Sequence, residues 1–232
     1  MNLSTEQKSL IERVINCFET GQPDGDYSAI SIYRDGPHNI RQITYGRSQT
    51  TEYGNLRKLV AMYVEANGKY SNDLKPYADR IGSTPLTDDQ PFRNLLRQSG
   101  KQDPTMRRIQ DRFFDQIYFQ PAMAWADTEG LSLALSALAI YDSFIHSGSI
   151  LWVIRQKFPE STPAHGGDEK TWVRQYLEAR NQWLSEHPRP AVRASAYRTR
   201  DLLTQVQANN WTLEQVPIIA NGSKVFPAPE TV

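Results

Sequence analysis

Apolar residues recur at helical spacing near the start of the chain: Leu10, Ile11, Val14, Ile15 and Phe18 share one face. Ser4 with Gln7 forms a capping box ahead of them, and Gly21 and Pro23 close the helix. The period then changes. Ser28–Tyr33 alternates weakly, Asp35-Gly36-Pro37 marks a turn, and Arg41–Tyr45 reads as a second short strand closed by Gly46. Together they predict a small antiparallel hairpin with a long loop.

From there the pattern is helical almost to the end. Tyr53, Leu56, Leu59, Val60, Tyr63 and Val64 mark one helix, with Gly68 beyond it. Further helices are predicted around Asn72–Ile81, around Phe92, Leu95 and Leu96, and from the Asp103-Pro104 cap through Met106, Ile109, Phe113 and Ile117. Leu131–Ile145 is apolar on nearly all faces, as a central buried helix is. A short helix over Ser149–Lys157 follows. Asp168 caps a long one carrying Trp172, Val173, Tyr176, Leu177, Arg180 and Leu184, and Pro190–Gln207 is the last. The tail from Asn209 has no clear pattern. The chain reads as a helical bundle with one small β element, a single domain over 1–232. A β-containing lobe spans about 22–50, a helical lobe about 51–208, and an irregular tail 209–232.

Composition narrows the function classes. Lys+Arg and Asp+Glu both number 26, which argues against a nucleic-acid partner. The single cysteine, Cys17, allows no internal disulfide and lies on an apolar helix face, where a small core residue is expected. The N-terminal residues carry no basic stretch followed by an apolar run, and Leu131–Ile145 is too short and too interrupted to span a bilayer. The expectation is a protein cytoplasmic as synthesised, reaching an extracellular or cell-wall target only by a non-classical route, with no membrane partner. It is expected to be a monomer.

Two carboxyl groups stand out. Glu19 ends the first helix, where the negative end of the dipole and the neighbouring apolar face push a carboxyl pKa upward. Asp35 sits in a polar Asp-Gly turn that favours its charged form. One acid kept protonated and one ionised is what glycosidic hydrolysis uses. Pattern alone favours the plainer reading of a solvated helix end and a turn former. No glycine-rich phosphate loop, paired-cysteine site or His-x-x-x-His spacing is present, so neither cofactor nor metal is expected. Gly166-Gly167-Asp168-Glu169 is a capped helix start rather than a phosphate site, because its acids repel phosphate.

The order of these pieces resembles the inverting chitosanases of glycoside hydrolase family 46. The resemblance runs from about residue 9 to about residue 195. It rests on Glu19-Thr20-Gly21, Asp35-Gly36, Tyr118-Phe119-Gln120-Pro121-Ala122, Ile140-Tyr141-Asp142, and Gly166-Gly167-Asp168-Glu169 followed by Ala179-Arg180. It implies a lysozyme-like two-lobed helical fold that hydrolyses β-1,4-linked glucosamine polymers within the chain. Glu19 would be the general acid and Asp35 the general base. Inversion would need the carboxyl groups roughly 6.5–9.5 Å apart to admit a water. Asp142, Arg180 and Arg193 match an ion-pair network behind the acid.

The chain departs from the family pattern in the loop Pro37-His38-Asn39-Ile40. There Asn39 or Thr44 would stand in for a water-holding threonine, and Glu52 or Asn55 for the group that meets the sugar ammonium. Tyr27, Tyr33 and Tyr45 are candidate stacking platforms. Arg34, His38, Arg41 and Arg47 crowd the hairpin, which is unexpected beside a polycation. Two rival readings remain: a peptidoglycan muramidase on the same scaffold, and a helical interaction module without activity.

Overall fold

The computed structural model describes residues 1–47 and 49–229. They are mostly helical, with a small antiparallel sheet near the N-terminus. The chain divides into two compact units. One holds Met1–Pro23 and the chain from Gln116 onward; the other holds Asp24–Asp115. The β-containing unit therefore runs well past residue 50. It takes in four helices, because their apolar faces pack on one another within it.

In that unit β1 (Ile30–Tyr33) pairs antiparallel with β2 (Gln42–Tyr45), with Ile30 opposite Tyr45 and Tyr33 opposite Gln42. A third strand, β3 (Thr50–Thr51), pairs with β2 over two residues. Two threonines carry no readable period, so the pattern showed only two strands. The helices are α2 (Leu56–Glu65), α3 (Ser71–Ala78), α4 (Gln90–Gln102) and α5 (Pro104–Phe114). Tyr45 is wholly buried and its hydroxyl donates to the Leu96 carbonyl at 2.7 Å, so it is core and not a sugar platform.

The other unit begins with α1 (Thr5–Thr20), which has the predicted capping box and a left-handed Gly21 at its C-terminus. After α5 the chain does not continue as α-helix through Ile117. A π-helical turn over Asp115–Phe119 leads into α6 (Gln120–Thr128), where Pro121, lacking an N–H, occupies the first turn. α7 (Ala134–Ser147) is the core helix, with every residue from Ala134 to Ser143 buried. Then come α8 (Trp152–Arg155) and α9 (Glu169–Ser185).

The Gly-Gly-Asp-Glu segment is a helix-start device. Asp168 accepts from the Thr171 N–H at 2.9 Å, and Glu169 accepts from the N–H groups of Ser132 and Leu133 ahead of α7. Gly167 is required, because a Cβ there would lie 1.7 Å from the Ser161 carbonyl oxygen.

The predicted helix over Pro190–Gln207 is two helices, α10 (Pro190–Ala194) and α11 (Tyr197–Gln207). At the break the Ser195 hydroxyl donates to the Val192 carbonyl, competing with helix continuation. The tail is not irregular: β4 (Ile218–Ala220) and β5 (Ser223–Val225) form a hairpin. Its turn is Asn221-Gly222, both at positive φ. An Asn-Gly pair is a strong hairpin signal that the pattern reading passed over. Among the described residues no helix is long and apolar enough to cross a membrane.

Candidate active site

Glu19 lies in the last turn of α1, whose final carbonyls have no partners inside the helix. Side chains from α11 and the C-terminal hairpin supply them. The Tyr197 hydroxyl donates to the Phe18 carbonyl at 2.7 Å, and the Asn221 amide to the Cys17 carbonyl at 3.1 Å. The Glu19 side chain is only 11% exposed. Arg198 Nη1 donates to Glu19 Oε1 at 2.7 Å. The same guanidinium places Nε 2.8 Å and Nη2 2.6 Å from Asp142 Oδ1, and Arg180 Nη1 donates to Asp142 Oδ2 at 2.5 Å. The result is a buried chain of alternating charge: Glu19, Arg198, Asp142, Arg180.

Electrostatics follow from that order. Burial pushes the Glu19 carboxyl up; Arg198 opposes it, and Asp142 beyond Arg198 adds to the rise, leaving the pKa above the ordinary value. Burial also acts against the Asp142 charge, but Arg198 and then Arg180 outweigh it and hold that carboxyl well below the usual range. Arg180 Nε and Nη2, wholly buried, have no hydrogen-bond partner. A buried ion pair with unmet donors contributes little net stability. What the chain does fix is the charge facing Glu19.

The sequence assigned this network to Asp142, Arg180 and Arg193. The structure brings together Asp142 and Arg180 but replaces Arg193 by Arg198. Arg193 belongs to the separate short helix α10 and turns back to the His187 and Pro188 carbonyls at 2.7 and 3.0 Å. The legible signal for Arg198 was its position one turn before Leu202, on the apolar stripe of α11.

His146 shares this surrounding. Burial first, then Arg198 and Arg180, lower its pKa from 6.5 to about 4. Between those values the unfolded chain binds a proton that the folded one does not, so stability is full above pH 6.5 and is lost as pH falls toward 4. The expected loss is at most about 3–4 kcal/mol. Urea midpoints at pH 4.5 and 7 for wild type and His146→Gln check this: the variant should lose less on acidification. An equal loss in both would remove His146 as the cause.

Asp35 lies in the β1–β2 loop, within its own unit. Two residues in left-handed conformation, His38 (φ 53°) and Asn39 (φ 62°), turn the loop, and Gly36 N–H donates to the Ile40 carbonyl at 3.1 Å. Asp35 is exposed. Its Oδ1 accepts from Gln42 Nε2 at 3.0 Å, and Gln42, only 5% exposed, accepts in turn from the Tyr53 N–H at 3.3 Å. Sequence reading missed Gln42. The only hint was a glutamine paired opposite Tyr33 at the end of a two-strand ladder, which no one-dimensional pattern marks.

The remaining predicted residues separate. The buried Thr44 hydroxyl is shared between the Ser31 carbonyl at 3.3 Å and Gln49 Oε1 at 3.1 Å. Asn39 is exposed on the loop, and Asn55 precedes α2, half-buried, without a side-chain capping bond. Glu52 is 1% exposed; its oxygens accept from the N–H groups of Ile43 at 3.0 Å and Leu86 at 2.7 Å. It is therefore a structural acceptor for two buried amides and not a group that meets a sugar ammonium. Tyr33 is exposed, while the half-buried Tyr27 donates to Asp111. Two of the four crowding cations are neutralised: Arg47 is buried against Asp111 and stacked on Phe114, and Arg41 lies 3.3 Å from Asp88.

Residues 13–218 match the model of Glycosyl hydrolase family 46. The chain is 29% identical to a chitosanase of Bacillus subtilis (strain 168) over 229 residues, covering 91% of this chain and 80% of that protein. Among solved structures it is similar to a chitosanase of Gynuella sunshinyii in complex with chitotetraose. There the TM-score is 0.84 at 25% identity, over 99% of this chain and 100% of that one. It is also similar to a mutant chitosanase of Bacillus subtilis MY002 complexed with 6 GlcN, with a TM-score of 0.83 at 26% identity over 97% and 100% of the two chains.

Proposed function

The chain belongs to glycosyl hydrolase family 46, and on that premise we propose that it is an endo-acting, inverting chitosanase in which Glu19 is the general acid and Asp35 the general base. The observation that carries the reading is the Glu19–Arg198–Asp142–Arg180 chain. It gives one carboxyl a raised pKa in a setting that still allows it to ionise after giving up its proton. Glu19 protonates the glycosidic oxygen of the leaving sugar. Asp35, exposed and held on one oxygen by Gln42, takes a proton from the water that attacks the anomeric carbon from the other face. The released proton and the hydroxide together make up the water that is added, so no cofactor enters the reaction. The reading includes action as a monomer, on an extracellular or cell-wall polymer once the protein is exported.

Reducing-end release from chitosan and from peptidoglycan, measured side by side, tests the substrate. Release from chitosan is expected; release from peptidoglycan alone would replace the reading by a muramidase.

Gln42 is a positioning residue in this scheme. Gln42→Leu is expected to lower kcat about tenfold with KM nearly unchanged, since a misaimed base costs rate and not binding. Gln42→Glu sets a like charge beside Asp35, raises its pKa, and should move the acidic limb of the pH profile upward. A purely structural role would lower stability without moving that limb.

A further inference from the structure

The proposed catalysis leaves unused a cavity of about 500 Å3 in the α7-centred unit. Its walls include Trp125 of α6, Glu129, Trp152 and Arg155 of α8, His165, and Trp172 of α9. None of these belongs to the Glu19–Arg198–Asp142–Arg180 chain. Trp172 and Arg180 share α9, about 12 Å apart along its axis.

Three indoles meet in this cavity, and one of them, Trp152, is 72% exposed. A large aromatic face left in water is an unusual use of apolar surface and suits a flat apolar partner. The lining also has polar groups. The Thr162 hydroxyl donates to Glu129 Oε2 at 2.5 Å and lies 2.9 Å from His165 Nδ1, and His165 Nδ1 lies 3.4 Å from the same carboxylate. Arg155 is engaged by Phe158: its Nη1 donates to the Phe158 carbonyl at 2.9 Å and its guanidinium stacks on the Phe158 ring. Trp172 adds a buried indole N–H with no hydrogen-bond partner. The cavity thus offers an exposed aromatic platform and a carboxylate. Its volume lies within the range of small-molecule sites.

We propose that this cavity is a second binding site, apart from the catalytic groups, for a glucosamine residue of the substrate chain. The inference rests on the polyglucosamine reading above. The C–H face of the pyranose stacks on Trp152, and the ammonium pairs with the Glu129 carboxylate. A neutral sugar lacks the cation that Glu129 selects, and a simple ammonium ion lacks the apolar face that Trp152 selects. Such a site anchors a long polymer and adds an effective concentration to binding at the catalytic groups.

The test uses the whole chain carrying Glu19→Gln, so that oligomers stay intact. Calorimetric titration with glucosamine hexamer is expected to show two sites, with quenched tryptophan emission accompanying the second. Trp152→Ala in that background should remove the second site, and Glu129→Gln, which keeps the shape, should weaken it about tenfold. The fully N-acetylated hexamer should bind there at least tenfold more weakly. Thermal midpoints equal to the parent's establish that the variants fold. One site only, two sites untouched by Trp152→Ala, or equal binding of the N-acetylated hexamer would overturn the proposal. The two readings fail separately. Chitosan cleavage by the wild type with a single hexamer site sinks this inference alone. A Trp152-dependent site in a protein that does not cleave chitosan sinks the catalytic reading and leaves this one standing.

Discussion

Glu19→Gln is expected to lower reducing-end release from chitosan by about 10³-fold, with the fold intact. The amide keeps the volume of the carboxyl and can still accept from Arg198 Nη1, so the last turn of α1 should keep its geometry. What it loses is the transferable proton, and general acid catalysis contributes about 10²–10⁴-fold. Glycosidic cleavage without protonation expels an alkoxide, so the loss belongs in kcat and not in KM. Turnover that survives the substitution within a factor of ten would mean that another group protonates the leaving oxygen. The pH profile of the wild type carries a second sign of the same assignment. Glu19 must be protonated to act and its pKa is raised, so activity should persist above the ordinary glutamate range before its alkaline limb falls.

Asp142→Asn is expected to destabilise the protein by about 3–5 kcal/mol at neutral pH, because it leaves two buried guanidinium groups without their shared carboxylate. The sign with pH follows from the lowered Asp142 pKa. Its contribution to stability is present above the pKa of an unfolded aspartate and is lost as pH falls through the folded value. Wild type and variant should therefore converge in strongly acidic solution, as chemical denaturation across pH will show. The variant also carries an activity signature. Asp142 raises the Glu19 pKa and occupies the guanidinium that pairs with Glu19. Without it Arg198 acts on Glu19 alone, the Glu19 pKa falls, and the alkaline limb of kcat/KM moves to lower pH. A destabilised variant with an unmoved limb would reduce the network to a packing role.

Much of the helical framework was legible because local chemistry writes it. The Ser4–Gln7 capping box, the Asp103-Pro104 start, the Asp168 cap and the uniformly apolar α7 are all signals carried by a few neighbouring residues, and each marks the element it should. The family resemblance marked Asp142 as a member of an ion-pair network, and an apolar helix cannot hold a lone carboxylate. Local pattern failed where the deciding contact is set by packing or strand register and not by neighbours along one element. Arg193 and Arg198 are near neighbours of the same type, and a break of two residues between helices decides which one reaches Asp142. Glu52 looks like a free acid beside a strand until the chain returns with Leu86 and its carboxylate closes on two amides. Gln42 has no pattern at all; only the ladder register brings it to Asp35.

The sequence by itself determined most helix starts, the position of the buried core helix and the hairpin that carries Asp35. These depend on interactions within a turn or two of chain, which residue order specifies directly. Only the tertiary structure decided which arginine sets the charge at Glu19, which amide aims Asp35, and which carboxylate is consumed as a structural acceptor. Those depend on hydrogen bonds between segments up to about 180 residues apart, and at that separation identity of residue type leaves the choice of partner to the packing of the whole unit.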